Sequence, residues 1–161
     1  MSNVKAMLFL MCGKIAAGKS TLAKTLASAP GTILISEDQW LIGLYRLELV
    51  TIADYIQYSA RLREAIGPHV EHLLRIGTSV VLDFPANTLN QRKWMRGIVE
   101  RSGADHELHL LDVPDHICKS RLRARNAAGA HDFAASEADF EQITSYFMLP
   151  ADQEGFNVIR H

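Results

Sequence analysis

One stretch of nine residues constrains this chain more than any other. Gly13-Lys14-Ile15-Ala16-Ala17-Gly18-Lys19-Ser20-Thr21 meets the pattern G-x-x-x-x-G-K-[ST] at every fixed position. An apolar run at 6–12 precedes it and a short helical pattern at 20–28 follows. That strand–loop–helix setting is the one in which the pattern works. Gly13 and Gly18 allow backbone conformations that turn amide N–H groups toward phosphate oxygens. A helix beginning near Lys19 adds unpaired N–H groups and the positive end of its dipole. Lys19 supplies a point charge for β and γ phosphates, and the Ser20 hydroxyl is an oxygen ligand suited to Mg²⁺. The residues predicted to hold a nucleotide are therefore Gly13, Lys14, Ala16, Ala17, Gly18, Lys19, Ser20 and Thr21.

The rest of the chain repeats the alternation. Thr32-Ile33-Leu34-Ile35 and Ser79-Val80-Val81-Leu82-Asp83 are further apolar runs, 107–111 is a fourth and 156–159 a short fifth. The run at 79–83 has no polar alternation, as expected of a strand covered on both faces. Helical patterns are predicted at 39–47, from Thr51 to Gly77, from Thr88 to about Ser102, from Pro114 through Arg125, and from Ser136 through Phe147. Thr51 with Asp54 and Thr88 with Gln91 read as capping boxes, and Ser136 with Asp139 as a further cap. Gly67-Pro68 predicts a kink or a division of the long helix, because proline removes a helical hydrogen bond. Strands separated by helices form βαβ units. The expected fold is α/β, a five-stranded parallel sheet with helices on both faces, in one domain over 1–161.

Composition narrows the function classes. In 161 residues a second domain would have to be very small. With 48% hydrophobic and 22% charged residues, disorder is excluded as the main state. Seventeen Lys and Arg against 18 Asp and Glu argue against a strongly basic nucleic-acid binder, though a local basic cleft is compatible with them. Cys12 and Cys118 have no paired spacing, and the seven histidines show no H-x-x-x-H pair, so neither a disulfide scaffold nor a dedicated zinc site is indicated. The apolar run at 6–12 is too short to span a bilayer and lacks a cleavage site. A cytoplasmic location with no membrane partner is expected.

Carboxyl ends of parallel strands face the ligand crevice in such sheets. Asp38, after the second strand, can accept the proton of an attacking hydroxyl there. The plainer reading is a helix N-cap. Glu37 is the weaker base, since in an extended segment its side chain points the other way. Asp83 ends the third strand and can hold the water shell of Mg²⁺ or position substrate, or else bond to backbone amides at the strand end. Arg121 and Arg125 share a helical face, with Asp139 or Glu141 as available partners. Asn87 and Arg92 can bind acceptor hydroxyls or an anionic group; the bland alternative is a loop and a solvated basic face. Trp40, Tyr45, Tyr55 and Tyr58 line an acceptor pocket or belong to the core.

The chain resembles small P-loop kinases, the group that contains polynucleotide 5′-kinases, gluconate kinases, chloramphenicol phosphotransferase and zeta-type toxins. It is most similar to bacterial proteins filed as AAA-type ATP-binding domains of that group. The resemblance covers nearly the whole chain and rests on GKIAAGKST, Ser36-Glu37-Asp38, Val80-Val81-Leu82-Asp83, Asn87 with Arg92, and Arg121-Leu122-Arg123-Ala124-Arg125-Asn126. It implies a P-loop NTPase fold, Asp38 as base, and a short lid at about 121–136 that brings Arg121 and Arg125 over the transferred phosphate. His131 and Asp132 fall in that lid and are either substrate contacts or parts of a plain surface loop. The expected activity is an ATP- and Mg²⁺-dependent transfer of the γ-phosphoryl group to a hydroxyl of a small molecule. Catalytic residues would be Lys19, Asp38, Arg121 and Arg125. Asp38, Asp83, Asn87 and Arg92 would bind substrate, and Ser20 and Asp83 the metal. Rival readings are a polynucleotide 5′-hydroxyl kinase, a toxin-type kinase acting on a sugar nucleotide, and an ATPase switch that works through a protein partner. Larger relatives continue with a helix beyond the last strand and hold adenine in the preceding loop. Here the sequence ends at Val158-Ile159-Arg160-His161, so loose base recognition, with nucleotides other than ATP accepted, is expected.

Overall fold

A computed structural model of the protein describes residues 5–129 and 134–161. The elements are β1 (Met7–Cys12), α1 (Lys19–Ala27), β2 (Thr32–Ser36), α2 (Glu37–Tyr45), α3 (Ile52–Arg75), β3 (Ser79–Pro85), α4 (Leu89–Ser102), β4 (Asp105–Leu110), α5 (Asp115–Ala127), α6 (Glu137–Thr144) and β5 (Val158–Arg160). Among the described residues the strands form one parallel sheet in the order β2-β3-β1-β4-β5. This is the α/β P-loop NTPase arrangement expected from the sequence, although β3 and β4 are longer than the apolar runs at 79–83 and 107–111. No helix among the described residues is long and apolar enough to cross a membrane.

Period-two alternation along the central strands sets the layers. Leu8, Leu10 and Cys12 of β1, with Val80, Leu82 and Phe84 of β3, pack on Leu62, Ile66, Val70 and Leu74 of α3 and Met95 and Ile98 of α4. Met11 and Val81 point to the other face and meet Ala23 of α1, with Phe9, Leu22, Leu26 and Leu34 around them. Asp83 is two residues beyond Val81, so the same alternation carries it to the face that α1 covers. The ladder between β1 and β3 steps from Leu10↔Leu82 to Met11↔Pro85, which leaves Asp83 and Phe84 outside the pairing with β1. Irregularities of this kind re-aim side chains at strand ends.

All three capping pairs form, at Thr51–Asp54, Thr88–Gln91 and Ser136–Asp139. In the long helix the division expected at the proline does not occur. Gly67-Pro68 neither ends nor divides α3, which runs unbroken for 24 residues. Pro68 is on the exposed side, where water can satisfy the carbonyl that its ring deprives of a partner. Gly67 faces α4, and a Cβ there would lie 3.2 Å from Nε1 of Trp94. Close approach of the two helices therefore explains the glycine. Both cysteines are buried, and burial pushes the Cys12 thiol up to about 11.

The segment after α6 is tied down by Arg92, which corrects its reading as an acceptor-binding residue. Arg92 is 1% exposed. Its Nε donates to Glu154 Oε1 at 2.7 Å and Nη2 to Oε2 at 3.2 Å, while Nη1 donates to the carbonyls of Ala86 and Met148 at 3.1 and 2.8 Å. Nη2 also reaches the Leu149 carbonyl at 3.4 Å. A charge this deep needs such full pairing. Arg92→Ala would strand Glu154 and several carbonyls. It should lower stability by about 3 kcal/mol or more, read by urea denaturation.

Candidate active site

The phosphate loop lies between the carboxyl end of β1 and the first turn of α1, and three local features shape it. Gly18 has φ 103° and serves as the cap of α1. Gly13 has no room for a side chain, since a Cβ would sit 3.1 Å from the Leu111 carbonyl oxygen and 3.2 Å from the Ala17 Cβ. Ala16 is left-handed at φ 61°, a conformation that an alanine adopts only under constraint. Ala17 is buried with Cys118, Leu122 and Phe140, and Ile15 and Ala16 pack on the same cluster. Nζ of Lys19 donates to the Gly13 and Lys14 carbonyls at 2.6 and 2.8 Å. Burial pulls this ammonium below the ordinary lysine range, while Asp83 and Asp38 act in the opposite direction. The Lys14 side chain turns outward to Asp115 at 2.5 Å and lies over the Phe147 ring. Thr21 is exposed in the first turn of α1.

Asp83 and Ser20 meet on the face of the sheet that α1 covers. The Ser20 hydroxyl donates to Asp83 Oδ2 at 2.7 Å. The two side chains thus bring hard oxygen atoms to one point beside the loop, a donor set that fits Mg²⁺ with water completing its shell. The register pair Ser36↔Asp83 sets the end of β2 alongside. Ser36 caps α2 there, its hydroxyl accepting from the Gln39 N–H at 3.4 Å. Asp38 is therefore not the N-cap. It is an exposed carboxylate in the first turn of α2, close enough to Lys19 to influence its titration.

Three arginines on α5 have different surroundings. Arg123 is paired with Glu137 of α6. Arg121 leans on the phosphate loop, its Nη1 3.4 Å from the Ala17 carbonyl oxygen. Arg125 is half-buried, and its Nε has no hydrogen-bond partner among the described residues. The acids considered as partners are used elsewhere: Asp139 closes its capping box and Glu141 pairs with Lys119. His131 and Asp132 lie outside the described residues.

The AAA domain family matches residues 8–150, which carry this loop, the Ser20–Asp83 pair, Asp38 and the α5 arginines. The chain belongs to that family. Several solved structures share its fold. A proposed kinase of Chloroflexus aurantiacus j-10-fl superimposes with a TM-score of 0.77 at 18% identity, covering 98% of this chain and 85% of the other. Chaetomium thermophilum Kti12, in complex with ADP-AlF3, gives 0.75 at 14% identity over 96% and 88%. A sugar kinase of Janibacter sp. HTCC2649 gives 0.65 at 15% identity over 98% and 84%. No curated protein matches the sequence.

Within this AAA domain Asn87 departs from the acceptor-binding reading, while Tyr45, Tyr55 and Tyr58 pack against the core, the second of the two readings given for them. Asn87 does not reach out to an acceptor. Its Nδ2 donates to the Gly13 carbonyl and its Oδ1 accepts from the Gly13 N–H, both at 2.8 Å, so it brackets the first residue of the phosphate loop. The rings of Tyr45 and Tyr58 pack at a tilt of 31° with centroids 4.4 Å apart. Trp40, with Leu44, Arg61 and His69, lines a cavity of about 320 Å³ between α2 and α3 that no phosphate-loop residue borders.

Glu37 is the feature that sequence reasoning undervalued. It begins α2 instead of ending the strand, and the helical turn carries it inward, where it is 2% exposed. The Tyr55 hydroxyl donates to its Oε1, while Oε2 has no partner among the described residues. Burial pushes its carboxyl up to about 7 from the ordinary 4.5. The folded chain therefore holds a proton that the unfolded chain has released. Stability from this group is fully present below about pH 4.5 and is lost as pH rises through about 7, a loss of about 3 kcal/mol. Glu37→Gln should flatten that part of the melting-temperature profile between pH 4.5 and 8, measured against the wild-type chain.

Proposed function

We propose that the protein is an ATP- and Mg²⁺-dependent phosphotransferase that moves the γ-phosphoryl group to a hydroxyl of a small molecule. The observation that carries this reading is the placement of Asp38. An exposed carboxylate stands two residues past the end of β2, whose last residue Ser36 is in register with Asp83, and it lies within the influence of Lys19. A nucleotide switch needs the phosphate loop and the metal pair but no base on that side. The buried thiols of Cys12 and Cys118 suit the reducing cytoplasm.

Each group has a separable task. The N–H groups of the loop and of the start of α1 would hold the polyphosphate, and Lys19 would exchange its two carbonyl partners for phosphate oxygens. Ser20 and Asp83 would hold Mg²⁺, which when bound offsets charge on those oxygens. Asp38 orients the acceptor hydroxyl and takes its proton as the oxygen attacks. Arg125, with Arg121 beside it, would offset charge on the moving group, since a guanidinium binds phosphate oxygens in a fork. Phosphoryl transfer demands mainly such positioning and charge stabilisation.

The direct test is γ-labelled ATP with a panel of sugars, polyols and a 5′-hydroxyl oligonucleotide. Label should pass to a small hydroxyl compound. Label on the oligonucleotide would favour the strand-end kinase, and label released only to water would remove the kinase reading. In the active assay Asp38→Asn should keep ATP affinity and lose transfer on the order of 10²-fold or more. Arg125→Ala should lower kcat more than it raises KM for ATP, with poor rescue by lysine, as expected of an interaction made in the transition state.

A further inference from the structure

Among the described residues the buried and half-buried carboxylates show two patterns. Glu154 uses both oxygens, on Arg92 and on the Ala151 N–H. Glu71 accepts from Arg101 on Oε1 and from Arg75 on Oε2. A structural carboxylate is expected to be satisfied in this way, because a buried polar atom without a partner costs free energy. Glu37 breaks the pattern, with Tyr55 on Oε1 and a buried Oε2 that nothing in the described chain bonds. A leucine would fill comparable space without that penalty. The departure occurs one residue before Asp38 at the rim of the phosphate crevice, and departures from local rules concentrate at functional sites.

We propose that Glu37 reads a second hydroxyl of the acceptor, so that the substrate is a polyol or sugar and not a simple alcohol. The inference rests on the phosphotransferase reading and adds to it the substrate class. Glu37 and Asp38 are adjacent in the first turn of α2, about 3.8 Å apart at Cα and about 100° apart around the helix. One small molecule can therefore touch both, with different atoms. Oε2 is covered, so the acceptor displaces part of that cover, and the hydroxyl it brings restores the missing hydrogen bond.

The choice of a hydroxyl follows from the state of the carboxyl. Burial is the main upward influence, with Asp38 of α2 and Asp83 of β3 adding to it. Tyr55 and Arg63 of α3 act downward. With the balance at about 7, acid and carboxylate are both populated near neutral pH. A hydroxyl donates to the carboxylate and accepts from the acid, so it pairs with Oε2 in either state. An ammonium group pairs only with the carboxylate and a carbonyl only with the acid.

The test takes the best acceptor from the sugar and polyol panel together with its monodeoxy and monoamino analogues. In the wild-type protein, loss of one hydroxyl other than the phosphorylated one should lower kcat/KM at least tenfold. In Glu37→Leu that sensitivity should disappear while KM for ATP stays the same. Glu37→Gln, which keeps a hydrogen-bonding group of the same shape, should retain part of it. Thermal melts and fluorescent-ATP binding establish that each variant is folded. Three results would overturn the proposal alone: a deoxy penalty that survives in a folded Glu37→Leu, equal use of simple alcohols and polyols by the wild type, or preference for the amino analogue. If no member of the panel accepts label while ATP is hydrolysed, the phosphotransferase reading falls and the proposal with it.

Discussion

A guanidinium shut away from water holds the working end of this molecule together. Arg92 gathers the Ala86 carbonyl after β3, the segment beyond α6 and the carboxylate of Glu154 into one pairing. Removing such a charge from water costs several kcal/mol unless nearly every donor is engaged, so the parts around it can hold essentially one arrangement. Asn87 stands beside this hub. Its backbone carbonyl accepts from the Met148 N–H, and its side chain brackets Gly13. The first peptide of the phosphate loop is thereby oriented by contacts that originate more than seventy residues away.

What was legible in the sequence is what local rules govern. The phosphate loop, the capping pairs and the parallel sheet follow from glycine placement, side-chain oxygens at N-caps and apolar alternation. The partnership of Ser20 with Asp83 follows from the same alternation, because Asp83 shares a face with Val81. Arg92 was misread for a reason equally physical. With Arg96 it makes an ordinary basic i, i+4 pair, and its partner Glu154 is 62 positions distant, with nothing in the sequence to join them. Glu37 was misjudged because an extended strand was assumed where the helix had already begun, and a turn of about 100° replaces an alternation of 180°. Pro68 breaks a local rule at little cost, since the carbonyl it orphans faces solvent.

The arginines of α5 show how competition among neighbours sorts like residues. Arg121, Arg123 and Arg125 differ little in the sequence, yet Glu137 takes Arg123 and capping geometry removes Asp139 from contention. Among the described residues the α5 arginine whose buried Nε has no hydrogen-bond partner is Arg125, the one nearest the small residues at 127–129. Assigning a role from spacing alone would have treated Arg121 and Arg125 alike, whereas their surroundings distinguish them.

The left-handed alanine at position 16 has a consequence for how binding is driven. The four variable positions of the loop, Lys14, Ile15, Ala16 and Ala17, contain no glycine, and Ile15, Ala16 and Ala17 are packed against α5 and α6. The loop's conformational freedom was therefore surrendered during folding, together with the strain of about 1 kcal/mol or more that an alanine bears at φ 61°. A polyphosphate arriving there does not have to freeze a mobile backbone. Its association is spared that ordering entropy, and what remains to be changed is the pair of carbonyl bonds that Lys19 gives up and the shell of water and counter-ions around the phosphates.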